Sequence, residues 1–344
     1  MSDKKNIGAT LILLLTAAIW GSSFVFQKYA VEQLSASFIV AGRFTVAGIL
    51  LALITVKRWK TIDRGCLLGG FLAGVTMALA QVLQTLAMGL GTSPGKSAFL
   101  TGTYCVMVPL LSWFFQKERP KKNHLLSAVI CLIGIGLISL NGGGGLMLGD
   151  GVTLLCSVVY ALNIIVIAIY AQGRDPVVFT MIQICTAALC AWISVAFTGG
   201  IPERISMEAA ASILYLALFC TALCLSLQTI GLKNVNATVA TVLLSLESVF
   251  GVLFSILLYH EEVTARMGIG FAVVFAAVLI AQIDGAVLVV HGFYDSQRFQ
   301  VITHVADDLA AYLEALFYGN ADAFHFGTGR FGNRDKTLQG TAVG

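Results

Sequence analysis

Glu247 lies deep in an apolar run, with Ser245 and Ser248 on either side, too far from the ends of that run to reach water. A carboxylate in such a place either couples a substrate or a proton to movement, or makes one structural hydrogen bond between helices. Two cations raise the complementary question. Arg43 and Lys96 each stand close to the start of an apolar stretch. They either snorkel to an interface or form a basic vestibule that meets a carboxylate. Lys96 falls in the first turn of its stretch, where the helix dipole disfavours a cation. Neutral polar residues recur at helical spacing. Trp20, Ser23 and Gln27 form an i, i+3, i+7 stripe, Gln81 and Gln84 share a face with Thr85 beside them, and Tyr160 pairs with Asn163. Gln228 repeats the setting of Gln84. Such groups either line a cavity for a small polar solute or bond helix to helix.

Bond-breaking chemistry has no comparable support. The chain has no His-Glu-x-x-His zinc pattern, no Gly-x-Ser-x-Gly elbow and no Walker loop, so ATP does not drive it directly. The eight cysteines have no metal-ligand spacing with histidine, and their reading is small apolar packing. No enzyme activity, metal or cofactor is expected.

The elements that must position these residues follow from composition. Apolar types make up 58% of the 344 residues and charged types 11%, with mean hydropathy +0.87. That is too little charge to solvate a soluble surface, for which about a quarter of residues is usual. Disorder and disulfide scaffolds fall on the same grounds, and a net charge of +3 gives no basic face for nucleic acid. Between Leu67 and Gln116 the sole charged residue is Lys96, and between Leu125 and Gln172 it is Asp150. A span needs about 20 apolar residues, so each stretch folds back on itself. Turn residues at 89–95, 141–145, 173–176, 199–202 and 231–236 divide the chain into ten helices. They are expected near 7–27, 36–56, 66–88, 94–115, 124–140, 151–171, 177–197, 209–230, 236–259 and 265–283. Continuous apolar runs exclude a β-barrel. The run from Ile7 continues past Trp20 and Phe26 without a cleavage site and is expected to stay as a span.

Lysine and arginine set the orientation. With the N-terminus inside, the first-half loops on that side hold Lys4, Lys5, Lys57, Arg58, Lys60, Arg64, Lys117, Arg119, Lys121 and Lys122. The positive-inside rule therefore places both termini in the cytoplasm, in a cell (inner) membrane. The second half is nearly neutral, and its orientation follows from the first. An internal repeat supports two halves. Gln84-Thr85-Leu86 returns as Gln228-Thr229-Ile230, 144 residues on, and Leu100, Val108 and Glu118 meet Leu244, Val252 and Glu262 at the same offset. Gly8-Ala9-Thr10-Leu11 resembles Gly151-Val152-Thr153-Leu154, and Trp20 meets Asn163, both at 143. Five helices per half invert the second, an arrangement of secondary transporters. The expected divisions are 7–140, 150–283 and a polar tail at 284–344. In that tail Val301, Val305, Leu309, Tyr312 and Leu316 mark an amphipathic face or a dispensable extension.

Several of these runs resemble one family. Ile19-Trp20-Gly21-Ser22-Ser23-Phe24-Val25 is similar to the first-helix motif of the drug/metabolite transporter superfamily, and Arg43-Phe44 to the arginine of its second helix. Ser97 through Tyr104, continuing to Val108-Pro109-Leu110-Leu111, resembles its fourth helix in the branch with two EamA domains. Asp150 and Leu246-Glu247-Ser248-Val249-Phe250 resemble the second domain. Ser248 stands where proline is frequent, and His260-Glu261-Glu262 where Gly-Glu-Arg is usual. The resemblance covers residues 9–283. It implies an all-α membrane protein of ten transmembrane helices in two inverted five-helix repeats around a central cavity, and adds Thr101 and Tyr104 to the cavity candidates. It implies alternating access driven by a gradient. The expected function is export of a small metabolite, such as an amino acid or related organic acid, with Glu247 as the coupling candidate and the proton as coupling ion. The expected partners are that small molecule and the bilayer. An importer or exchanger, or a membrane scaffold or sensor, is the alternative.

Overall fold

The computed structural model describes residues 2–116, 120–139, 147–198, 200–234 and 243–281. Among these residues every regular element is a helix. In chain order they are α1 (Ser2–Val31), α2 (Ala36–Thr55), a 3-10 turn (Val56–Thr61), α3 (Arg64–Gly89), α4 (Pro94–Gly102), α5 (Tyr104–Gln116) and α6 (Lys122–Ser139). There follow α7 (Leu148–Tyr170), α8 (Pro176–Thr198), α9 (Met207–Tyr215), a π-helical segment (Leu216–Leu223), α10 (Cys224–Asn234), α11 (Glu247–Tyr259) and α12 (Ala265–Ala281). Seven stretches of the described residues are long and apolar enough to cross a membrane. Three shorter apolar helices, Lys122–Ile138, Leu243–Tyr259 and Ala265–Ile280, fall where the fifth, ninth and tenth spans are expected. The tail at 284–344 lies outside the described residues.

These segments are helices because their backbone polar groups have no water to turn to in hydrocarbon. Many present apolar side chains outward as well as inward. Leu53, Phe71, Leu132, Ile193 and Phe197 are all exposed, as suits helices bathed in lipid. Small residues set the close approaches. Gly70 and Gly74 of α3, read from sequence as packing positions, are faced by Ile182 and Thr186 of α8 at distances that leave no room for a side chain.

Side-chain caps mark where helices meet water. Ser35, Asp63, Ser93 and Ser206 accept from the backbone N–H groups of Phe38, Cys66, Lys96 and Ala209 at the starts of α2, α3, α4 and α9. At one end of the bundle Asp63 also receives Arg174 on both oxygens, at 2.8 and 2.9 Å, and Arg58 pairs with Asp175 at 3.3 Å. Arg174, with the Cys66 N–H behind it, holds the Asp63 carboxyl down at about 2. At the opposite end Ser206 bonds Gln33, and Ser35 donates to the Gly200 carbonyl at 3.0 Å. There too Glu261 accepts from Ser93, from Ser255 and from the Gly95 N–H at 2.9 Å, capping α4 from the α11–α12 connection. His260 permits that reach by closing α11 in the left-handed conformation, φ 53°.

Two expected helices are interrupted. The fourth breaks at Thr103, whose hydroxyl turns back to the Leu100 carbonyl at 2.7 Å. The ninth breaks at Leu246, whose N–H bonds three residues back to Leu243 at 3.2 Å. Glu247 was read as standing mid-helix. Within the described residues it instead opens α11, with 243–245 helical before the break. Its depth is little changed, because α11 still carries it roughly 18 Å below Tyr259 at 1.5 Å per residue.

Candidate functional site

Four helical elements deliver the central arginine network. Arg43 sits two turns into α2 and is 2% exposed, so it does not snorkel. Its Nε donates to the Thr221 hydroxyl of the π-helical segment at 2.9 Å, and its Nη1 to Gln81 Oε1 of α3 at 2.9 Å. The Gln81 amide then bonds the Tyr160 hydroxyl of α7. No carboxylate approaches Arg43 within 4 Å among the described residues.

These groups face a small, partly open cavity of about 60 Å³. Trp20, Ser23, Arg43, Gln81, Gln84, Tyr104, Tyr160, Asn163, Gln228 and Glu247 all line it. Glu247 and Tyr104 face this cavity together. Tyr104 and Tyr160 stand 6.3 Å apart, ring to ring. Trp20 donates from Nε1 to the Cys220 carbonyl at 2.8 Å, and Asn163 donates to the Ala73 carbonyl at 2.7 Å and to Thr76 at 2.9 Å. One cation and one acid thus line the same cavity, together with amides and aromatic rings.

Three sequence candidates stand behind or away from this wall. Gln27 and Thr101 hold Gln84, the first donating to its Oε1 at 3.4 Å and the second accepting from its Nε2 at 3.1 Å. Thr85 fixes Gln27 in turn at 3.0 Å. Lys96 lies elsewhere, 3.6 Å from the fully buried Asp150, which also accepts from Thr92 at 3.1 Å. Arg43 and Lys96 therefore do not form one vestibule. The first faces the cavity and the second neutralises an acid on α7.

The pattern of the EamA-like transporter family matches the chain twice, over residues 7–140 and 147–282. The chain belongs to that family. Relatives agree along most of their length. An uncharacterized transporter of Archaeoglobus fulgidus is 28% identical over 284 residues, covering 81% of this chain and 87% of the relative. The uncharacterized inner membrane transporter YedA of Escherichia coli is 27% identical over 276 residues, covering 76% and 87%. A solved crystal structure superposes with a TM-score of 0.60 at 19% identity, over 81% of this chain and 98% of the other, which shows a shared fold. The protein is therefore a multi-pass membrane protein of a transporter family, whose partners are a small molecule and the bilayer.

Within this EamA-like cavity, Phe24, Phe44, Met77, Ile164, Cys220 and Leu225 complete the wall. The sequence does not mark them, because an apolar residue in an apolar chain carries no contrast. Cys220 had been read with the other cysteines as packing. All eight cysteines are free, and among the described residues no group of three could hold a metal. Thr221 had no signal of its own either, since its role depends on the π turn that carries it.

Proposed function

We propose that this EamA-like protein is a secondary active transporter that exports a small metabolite, such as an amino acid or related organic acid, by alternating access through the central cavity. The observation that carries the reading is that Arg43 and Glu247, both buried, line the same cavity. A scaffold gains nothing from a cation and an acid held in hydrocarbon, each costing roughly 2.5–3.5 kcal/mol if it faced lipid. A solute with an anionic group and a hydrogen-bonding body uses both. Glu247 is the coupling group in this scheme, and the proton the coupling ion.

Repeat-related features support two inverted halves. The breaks at Thr103 and Leu246 are 143 residues apart, the offset that relates Trp20 to Asn163. Asp63 and Ser206, the capping residues of α3 and α9, are also 143 apart, and their partners Arg174 and Gln33 differ by 141. Asp63–Arg174 lies at one end of the bundle and Ser206–Gln33 at the other, as inversion requires. Helices at equivalent places in the two halves also pack together, α2 on α8 and α6 on α12. Under the N-inside orientation, reporter fusions at Lys60, Lys121 and Gln339 should read cytoplasmic and one at Gly143 external. An external signal at Lys121 would overturn that orientation.

The deciding experiment is transport into liposomes containing the purified protein. A panel of amino acids, organic acids and organic cations is run with and without a pH gradient, in both directions. Uptake or release of a carboxylate-bearing solute that follows the gradient is the expected result. A protein that carries none of the panel, or carries it with no dependence on any gradient, would reject secondary transport of these metabolites.

A further inference from the structure

The eighth expected span is not one regular helix. Between α9 and α10 it widens into eight residues of π-helix, Leu216–Leu223, in the part that faces Arg43. Such widenings are rare and concentrate at functional sites. Here the widening has two local consequences. The Thr221 hydroxyl donates to the Leu216 carbonyl, five residues back, at 2.8 Å. A hydroxyl has one proton, so Thr221 can meet Arg43 only as an acceptor. The second consequence lies one residue earlier, where the Cys220 carbonyl accepts from Trp20 Nε1.

Arg43 is thereby fixed on two sides. Nε is held by Thr221 and Nη1 by Gln81, while its guanidinium lies 5.7 Å from the centre of the Phe44 ring. Its Nη2 finds no protein acceptor among the described residues, and Arg43 lines the cavity. A buried, charged donor without a counter-ion calls for an anion from outside the protein. Charge selects its class. With Glu247 protonated, the one guanidinium on this wall matches a carboxylate monoanion and not a phosphate dianion.

We propose that Thr221 is a positioning residue. By this reading the π-helical segment turns its hydroxyl onto Arg43 Nε, and so aims Nη2 at the carboxylate of the transported solute. The inference rests on the transport reading above, but the subsite itself does not. Removing the hydroxyl frees the guanidinium to rotate away from the cavity. Thr221→Val keeps the shape and loses the acceptor, whereas Thr221→Ser keeps the acceptor.

Two readouts separate the subsite from transport. The chain has four tryptophans. Replacing Trp59, Trp113 and Trp192 with Phe in the full-length protein leaves Trp20 to report, and iodide serves as a quenching monovalent anion. Quenching of Trp20 should saturate, acetate should relieve it, and Thr221→Val should raise the half-saturating iodide concentration at least tenfold while Thr221→Ser restores it. For any carboxylate that the wild type carries in liposomes, Thr221→Val should raise KM about tenfold with Vmax nearly unchanged, as expected when an aimed charged hydrogen bond is lost. The matching amide should be carried by wild type and variant with the same KM. Iodide quenching that never saturates, or that is the same with Val and Thr at 221, overturns the proposal. A protein that quenches as expected but transports nothing would reject the transport reading and leave the anion subsite intact. If the Val variant does not purify as a stable protein, the comparison is made with Thr221→Ala and with Thr221→Ser as the positive control. Loss of saturation in Ser as well as Ala then counts against positioning.

Discussion

Glu247→Gln is expected to abolish accumulation driven by a pH gradient while exchange of one solute molecule for another continues at about the wild-type rate. The amide keeps the size and hydrogen-bonding reach of the carboxyl, so the fold should not change. What disappears is the ability to take up and release a proton inside the bundle. A coupled carrier needs that step to return empty, but not to return loaded. The check is a pair of liposome measurements on the same preparation, one with an imposed pH gradient and one with solute on both sides. A well-folded Gln variant that accumulates solute at the wild-type rate, with unchanged pH dependence, would reduce Glu247 to a structural hydrogen bond.

The second large effect is expected from Gly21→Val. Gly21 of α1 packs directly on the backbone of α11. A Cβ there would stand 2.8 Å from the Gly251 nitrogen and from the Phe250 carbonyl carbon, closer than real Cβ contacts come. Gly251 in turn is closed off by Ala98 of α4. Backbone cannot swing aside as a side chain does, so α1 and α11 must separate. Overpacking of this kind costs roughly 1–3 kcal/mol in close-packed interiors, and here it acts one turn from Glu247. The thermal unfolding temperature in detergent should fall by several degrees for Val and less for Ala, with transport falling alongside. A Val variant that melts and transports like the wild type would show that α1 and α11 are free to part at this level.

Much of the cavity was legible because polar residues stand out against hydrocarbon. Arg43, Gln81, Gln84, Tyr160 and Gln228 are costly in a membrane helix, and each faces the interior. Their partners were harder to read. Lys96 and Asp150 are the lone charges of two long apolar stretches and have opposite signs, which was signal enough to pair them. Instead, because both helices start at the same end, the sequence leaves Lys96 and Arg43 open between snorkelling and a shared basic vestibule. The breaks at Thr103 and Leu246 and the widening at 216–223 left no trace in composition. Hydrophobic periodicity sees residues facing lipid or core, and a hydrogen bond shifted by one residue alters neither. Thr221 is invisible for that reason, being an ordinary threonine until the π turn rotates it.

The two end clasps invite a comparison of energies. If the halves are inverted copies, opening one mouth of the cavity breaks Asp63–Arg174 and Arg58–Asp175, and opening the other breaks Ser206–Gln33. The first set is ionic and sits at the end where lysine and arginine are dense. Ser206–Gln33 is neutral, and the charges at its end, Glu261 and the Lys96–Asp150 pair, are bonded within the protein. With Asp63 held down at about 2 against an ordinary value of 3.8, its contribution is complete above pH 4 and fades only as acidity approaches 2. Protons at physiological pH therefore leave the ionic clasp alone. Dissolved salt and anionic headgroups do not, because both compete for exposed guanidinium groups over distances of about 10 Å. The resting bias between the two mouths is then a property of the membrane as much as of the protein. A bilayer rich in acidic lipid would loosen one mouth and leave its mirror image untouched, so the same chain would idle in different postures in different membranes.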